Sequence, residues 1–397
     1  MEKFKLCELF EKPLSGEWGT ELEEGKTGVP VIRTTNFGKN GKLDLRELVY
    51  REIDLEKKSN KVLLPGDIII EKSGGGPKQP VGRVMYFDIE FERFVTNNFT
   101  AILRPVECID SKFAYYLLNH LYSSGVVLRF QNKTTGIINL KLNDYLDSTV
   151  VALPSILNQK RISGSLDLSS RLIEKRKQQL VEMDNLIQSI FIEMFGDPNI
   201  LKDSTRVNLK KVARITTGNT PPRKQEENYG DFIEWIKTDN IYSDRIYPAV
   251  AVEYLSREGA EKGRIVDSNS LLMACIAGSK ISIGKLCLLD RQVAFNQQIN
   301  AITCKKNVEP KYLYYVLKFS KDRLEKYASD SMKKMISKSK LENFEISIED
   351  VKSQKDFLLI VQEIEAQKKL MEKSLIEMEN NFNALMQKAF KGESFPE

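Results

Sequence analysis

Residues that are nearly all apolar recur every seventh position, in two adjacent lines, over two stretches of the chain. In the first stretch Leu166, Ile173, Leu180, Ile187 and Met194 form one line, and Ile162, Ser169, Arg176, Met183 and Ile190 the line beside it. In the second the lines are Phe357, Ile364, Met371, Met378, Leu385 and Val361, Lys368, Leu375, Phe382, Ala389. This spacing is that of a coiled coil and predicts two long helices. Pro154 precedes the first, and Gly196-Asp197-Pro198-Asn199 stops it. The length is then about 40 residues, or roughly 60 Å. Such a helix is too long to bury its stripe on a small domain, so the other helix is the expected partner. The expected contacts are Ile162, Leu166, Ile173, Leu180, Ile187 and Ile190 on one side, and Val361, Ile364, Leu375, Phe382 and Leu385 on the other. Packing of each stripe onto its own domain is the alternative.

Outside these stretches the pattern is that of short strands. β-Branched runs such as Asp67-Ile68-Ile69-Ile70 and Asp147-Ser148-Thr149-Val150-Val151-Ala152 are separated by turn signals, including Asn40-Gly41 and Gly74-Gly75-Gly76.

The chain also repeats itself. Pro30-Val31-Ile32-Arg33-Thr34-Thr35-Asn36-Phe37 returns as Glu234-Trp235-Ile236-Lys237-Thr238-Asp239-Asn240-Ile241 at an offset of 204. Val81–Val84 matches Ile283–Leu286 at 202, Asn97–Ile102 matches Gln297–Ile302 at 200, and Tyr115–Leu118 matches Tyr314–Leu317 at 199. Leu142–Tyr145 matches Leu341–Phe344, also at 199; Gln159-Lys160 with Gln354-Lys355 and Glu182–Asn185 with Glu377–Asn380 follow at 195. Offsets drifting in one direction are what small loop deletions between two copies produce. The expected fold is therefore α+β: two tandem-duplicated domains, 1–154 and 201–350, joined by two long antiparallel coiled-coil helices, 155–200 and 351–397, with pseudo-two-fold symmetry.

A chain of 397 residues exceeds one ordinary core. No apolar run reaches the roughly 18 residues of a membrane span, and no signal-like stretch follows Met1–Leu6. The expected setting is the cytoplasm, with no membrane partner. Cys7, Cys108, Cys275, Cys287 and Cys304 form no CxxC pair and read as reduced, mostly buried thiols. His120 is the only histidine, so a zinc cluster is not expected, and its apolar surroundings make it a helix residue without a catalytic role. The net charge of +5 decides little, but residues 305–340 hold 11 Lys/Arg against 4 Asp/Glu, including Lys333, Lys334, Lys338 and Lys340. That run is either a solvated face or a phosphate-contacting surface.

Catalytic signatures are incomplete. Gly278–Leu286 resembles a phosphate-binding loop but has five residues between its glycines and Leu286 where a metal-binding hydroxyl belongs. Asp67 with Glu71-Lys72 hints at a nuclease carboxylate cluster, yet the counterparts between Asn269 and Ala274 are neutral or apolar. Gly196-Asp197-Pro198-Asn199 lacks the second proline and the aromatic of an amino-methyltransferase pocket. No catalytic residue, metal or cofactor is expected.

The remaining polar groups suit contact. Arg33, Thr34, Thr35, Asn36 and Lys237, Thr238, Asp239, Asn240 combine a cation, hydroxyls and an amide; Asn97, Asn98 and Asn296, Gln297, Gln298 add amides. Lys72, Lys78, Arg83, Lys280 and Lys285 lie beside glycines 74–76, 82, 278 and 284. Asn and Gln pair with adenine, Arg and Lys with guanine, and Thr with phosphate or the thymine methyl. A backbone bare of side chains admits a phosphate closely. Each group reads either as a hydrogen-bonded turn or as a DNA contact, and recurrence in both copies with changed identities favours contact.

Val31-Ile32-Arg33-Thr34-Thr35-Asn36, Gly278–Gly284 with Lys285, Val293–Gln298 and Phe195-Gly196-Asp197-Pro198 resemble specificity subunits of type I restriction–modification systems, over essentially the whole chain. The resemblance implies two target-recognition domains alternating with two conserved helical regions. It implies a bipartite site in double-stranded DNA, read as two half-sites around an unread spacer. Arg33 and Asn36 would serve one half-site, and Lys237, Asp239 and Asn240 the other. The paired helices would act as a ruler and dock two methyltransferase (modification) subunits, which translocase/nuclease (restriction) subunits join. Copy one departs from the glycine pattern at Ser73–Pro77, with a longer gap to Gly82. Two other classes compete. The DNA-reading part of a fused methyltransferase–nuclease would need a cofactor loop and a catalytic tetrapeptide. A coiled-coil scaffold would need no duplicated domains with matching polar loops.

Overall fold

The computed structural model describes residues 2–391, except 26, 39–40, 77–78, 135–136, 278–282 and 329–333. It divides into two compact units, Met1–Gln178 with Glu372–Glu397, and Gln179–Met371. The two predicted helices span Ile156–Phe195 and Val351–Lys391, and the boundary between the units falls within both.

The first unit is built on an antiparallel sheet in the order Leu14–Ser15, Thr100–Leu103, Ile68–Glu71, Val84–Tyr86. Ile68 and Ile70 face the main core with the helix Ser111–Ser123, while Ile69 faces a smaller core with Ile32, Phe37 and Phe87. A strand covered on both faces is apolar throughout, which is why it reads as a continuous run. A second sheet holds Val49–Arg51, Val29–Ile32 and Val95–Thr96, the last two parallel. Glu2–Lys5 pairs with Val150–Leu153 at the foot of the long helix.

The second unit repeats this plan. Its main sheet runs Ala213–Thr217, Ile299–Cys304, Ser270–Ala274, Leu286–Leu288. Ile233–Ile236 and Val293–Phe295 are its parallel pair, within a larger five-stranded sheet, and Arg206–Asn208 pairs with Glu345–Ser347. The duplication is one of fold as well as of sequence, and the class is α+β. Among the described residues no helix is long and apolar enough to cross a membrane.

Backbone pairing corrects two of the sequence matches. Phe99 O accepts from the amides of Lys72 and Ser73, and Gln298 O from those of Cys275 and Ile276. Asn97 therefore corresponds to Asn296, and Asn98 to Gln297, one residue away from the sequence alignment. Likewise Tyr145 N–H donates to Lys141 O as Leu341 N–H does to Ser337 O, so Tyr145 corresponds to Leu341, not Phe344. Runs of similar residues align equally well in neighbouring registers, and only the hydrogen-bond partner distinguishes them.

The matched glutamines are clips. Buried Gln159 accepts from Asp110 N–H at 2.8 Å and donates to Pro154 O at 3.0 Å and Cys108 O at 3.2 Å. Gln354 accepts from Glu309 N–H at 2.9 Å and donates to Glu349 O at 2.7 Å and Asn307 O at 3.2 Å. Each ties the first turn of a long helix to the start of its domain's own helix. A second duplicated clamp lies further along. The Lys112 ammonium and Tyr116 hydroxyl hold Asp167, and Lys311 with Tyr315 hold Glu365.

The heptad lines do two jobs, and their assignment to the opposite helix alone is too narrow. Ile162 and Leu166, with Met386 and Ala389, lie in the first unit's main core, flanked by Phe382 and Leu385. Ile187, with Phe357, Val361 and Ile364, lies in the second unit's core, beside Ile190. Between these ends Ile173, Leu180, Met371, Leu375 and Met378 are half-buried. The domain helices present aromatic faces that the stripe ends cover: Tyr312 meets Phe191, Phe195 and Phe357, while Phe113 and His120 meet Phe390. Within each unit the helix segments run antiparallel. Lys177 pairs with Glu379 at 2.7 Å in the first and Asp184 with Lys368 at 2.6 Å in the second.

Candidate nucleic-acid interface

Strand pairing gathers the scattered polar groups on one rim of each unit. Asn97 N–H donates to Ile32 O, so the parallel strands deliver Arg33–Asn36 and Asn97-Asn98 side by side. Phe99 O then receives the amides of Lys72 and Ser73, and Ser73–Gly75 pairs with Ile137–Leu140. In the second unit Asn296 N–H donates to Ile236 O beside Lys237–Asn240, and Ile276–Ala277 pairs with Lys334–Met335.

Not every amide on the rim is available. Thr34–Asn36 and Thr238–Asn240 are single 3-10 turns. Asn36 Oδ1 accepts from Arg33 N–H at 2.9 Å, and its Nδ2 donates to Asp44 O at 2.9 Å and Glu47 O at 3.2 Å. Asn240 Oδ1 accepts from Lys237 N–H at 2.9 Å. Asn36 is buried with its amide spent on the turn, so the adenine contact expected of it is not on offer. Asn97 and Asn296 are also buried, and Asn296 bonds both the side chain and the amide of Gln298. The exposed positions are Thr35 and Asn98 in the first unit, and Asp239 and Gln297 in the second. Thr34 and Thr238 are half-buried, and Gln297 Oε1 accepts from the Thr220 hydroxyl.

The cations differ in commitment. Arg83 forks onto buried Glu71 through Nε at 2.7 Å and Nη2 at 3.0 Å, and its guanidinium lies 5.3 Å from the Phe37 ring centre. Arg104 grips Asp67 in the same way, with both bonds at 2.8 Å. The two carboxylates that hinted at a nuclease are thus each held by an arginine. Among the described residues no group of three or more His, Cys, Asp or Glu is placed to hold a metal. Lys237 is ion-paired with Glu253, which Arg223 meets from the other side at 2.8 Å. Lys72 donates to Ser15 Oγ at 2.6 Å, and burial, then the charge of Lys61, lowers its pKa. It lines a cavity of about 360 Å³ with Ser15, Lys141, Asn143 and Asp144. Lys338 lies 3.7 Å from Glu342, and Lys340 Nζ donates to Tyr327 O at 3.1 Å, so Lys340 is turned back onto its own domain. Arg33 and Lys285 have no carboxylate partner among the described residues. Lys78, Lys280 and Lys333 lie outside those residues, as does the side chain of Lys334. The loop that resembled a phosphate-binding motif leads into the strand Leu286–Leu288, not into a helix.

A family model described as type I restriction modification DNA specificity domain matches residues 1–183 and again residues 202–380. The chain belongs to the type I restriction–modification DNA specificity family. The specificity subunit of the type I restriction enzyme EcoKI from Escherichia coli K12 is 29% identical over 161 residues, 40% of this chain and 33% of that protein. The chain thus spans about a third of the length of that relative. The putative MjaX specificity subunit of Methanocaldococcus jannaschii is 21% identical over 350 residues, 83% of this chain and 79% of that one. A solved chain from work on complex assembly and conformational transition of the type I R-M system is similar with a TM-score of 0.63 at 15% identity, over 99% of this chain and 98% of that one. The S subunit from M. genitalium gives 0.52 at 14%, over 98% and 96%. At these identities the structural likeness is one of fold.

Two features of the specificity domains escaped the sequence reading. A Cβ at Gly16 would lie 2.0 Å from Asn97 O, and one at Gly218 would lie 2.2 Å from Asn296 O. Only glycine lets the first strand pass against the amide loop. The signal was present, since Ser15-Gly16 and Thr217-Gly218 share an offset with the Val81–Val84 match. The sequence offers Gly82 and Gly284 as phosphate-approach sites. Their φ angles of +107° and +73° show that both also make a left-handed turn before an edge strand.

Proposed function

We propose that this chain is the non-catalytic specificity subunit of a type I restriction–modification assembly. Each domain reads one half of a bipartite site in double-stranded DNA. Two methyltransferase (modification) subunits dock on the chain, and translocase/nuclease (restriction) subunits join them in the cytoplasm. The observation that carries this reading is a duplicated rim with exchanged contacts. The same backbone frame recurs in both units, while its exposed positions change from Thr35 to Asp239 and from Asn98 to Gln297. A frame kept constant around altered polar side chains is what reading two different short sequences requires.

Mapping methylated bases in host DNA with and without the gene tests it. The expected result is one bipartite motif whose methylation disappears with the gene. An unchanged methylome in a host that carries the modification subunit would overturn the proposal. Purified chain incubated with a methyl donor and DNA is expected to transfer nothing; transfer would favour the fused-enzyme reading.

A further inference from the structure

The two rims carry cations at equivalent places, and each unit neutralises a different one. The first place is the residue that opens the 3-10 turn, Arg33 or Lys237. The second is the residue whose carbonyl receives the last strand amide, Arg83 receiving Glu71 N–H and Lys285 receiving Ala274 N–H.

In the first unit Arg83 is held by the buried Glu71 carboxylate and the Phe37 ring. Their equivalents in the second unit are Ala274 and Ile241, so both holders of this cation are missing there. In the second unit Lys237 is held by Glu253 and sits 5.0 Å from the Trp235 ring centre. Strand register makes their equivalents Val49 and Val31, so both holders are missing in the first unit. Among the described residues the Arg33 side chain accordingly donates only to the Glu47 carbonyl, from Nη2 at 3.4 Å, and its Nε is buried without a hydrogen-bond partner.

Resting on the proposed reading of DNA, we infer that Arg33 in the first domain and Lys285 in the second are the cations that meet the DNA backbone. Arg83 and Lys237, their counterparts across the duplication, are retained inside their own domains. A cation already paired with a fixed carboxylate releases no counterion on binding and so adds nothing to the salt dependence. Of the two cations on each rim, the one without a carboxylate partner among the described residues sits at a different point in each unit, so the two domains present different charge patterns on one backbone frame. The duplicated fold then meets two unlike half-sites.

Full-length protein titrated against a random-sequence duplex of about 40 base pairs, over a series of sodium chloride concentrations, tests this. Arg33→Gln and Lys285→Gln should each weaken binding several-fold and reduce the slope of log K against log salt by about 0.9. The paired changes Glu71→Gln/Arg83→Gln and Glu253→Gln/Lys237→Gln, the latter made together with Arg223→Gln because Glu253 also holds that guanidinium, should leave both affinity and slope within error. Transplanting the first unit's pair as Ala274→Glu/Lys285→Arg keeps a cation in place and should nevertheless reproduce the Lys285→Gln slope. Circular dichroism confirms that each variant is folded. The inference is overturned if the paired variants lose slope like the single ones, or if the transplant keeps the original slope. Absence of any duplex binding by the unaltered chain would instead bring down the proposed function itself.

Discussion

Arg83 closes a two-bond fork on the carboxylate of Glu71, a side chain with 3% of its surface exposed. Removing one member of such a pair strands the other charge in a poorly solvated place. Arg83→Ala is therefore expected to destabilise the protein by about 3–5 kcal/mol. The double change Glu71→Ala/Arg83→Lys, which installs the second unit's residues, should cost less than half as much. Urea unfolding of both variants decides it; equal losses would show that the arginine acts through packing on Phe37 alone.

Gln159 and Gln354 each satisfy one backbone amide and two backbone carbonyls. Leucine at either position fills the space and leaves those groups orphaned, at about 1–3 kcal/mol for each buried group. Gln159→Leu should speed hydrogen exchange at Asp110, and Gln354→Leu at Glu309, with little effect in the other unit. Unchanged exchange would mean the clips are redundant with the Lys112–Asp167 and Lys311–Glu365 clamps.

Phe357 is buried against Phe191, Phe195, Tyr312 and Tyr315. Its truncation to alanine should cost about 3–5 kcal/mol. Breaking the exposed Lys177–Glu379 pair should cost no more than about 1 kcal/mol. Thermal unfolding of the two variants side by side measures the ratio. Comparable losses would place the stability of the long helices in their surface charges instead of in the domain cores.

Hydrogen bonds from Arg291 hold the Glu234 carboxyl below its ordinary value of 4.5, against the opposing effect of burial. The unfolded chain therefore binds its proton at higher pH than the folded one. The pair's contribution is fully present above about pH 4.5 and is lost as pH falls through the lower folded value. Glu234→Gln should flatten the stability–pH curve in that window and leave the curve near neutrality parallel to that of the unaltered protein. A steeper acid limb in the variant would reverse the sign of the assignment.

Exposed rim side chains should separate the half-sites. Thr35→Ala and Asn98→Ala are expected to relax one half of the methylated motif, and Asp239→Ala and Gln297→Ala the other, with about 1–3 kcal/mol of discrimination lost per base read. Methylome sequencing of each variant in its host reads the result. Both halves loosening together would contradict one reader per domain.

The periodicities are legible in the sequence itself. Heptad lines announced both long helices because a 3.5-residue repeat sustained over about 40 residues is a helical period, and Phe195 is the last helical residue before the stop at Gly196. The ordered matches announced the duplication, because two copies of one frame keep the same apolar and glycine positions. Tandem fold class and family followed from residues alone.

What the chain order cannot express is partnership. Whether Arg83 faces DNA or Glu71, and whether Asn36 reads a base or folds its own turn, depends on groups 12 and 8 positions away in sequence that the fold brings within hydrogen-bond distance. The same holds for the one-residue slip between Asn97 and Gln297, which only strand pairing resolves. Local pattern determined which elements form, since periodicity and turn chemistry act over a few residues. Tertiary structure decided which charges remain free, since a cation's availability depends on the carboxylate or ring that folding places against it.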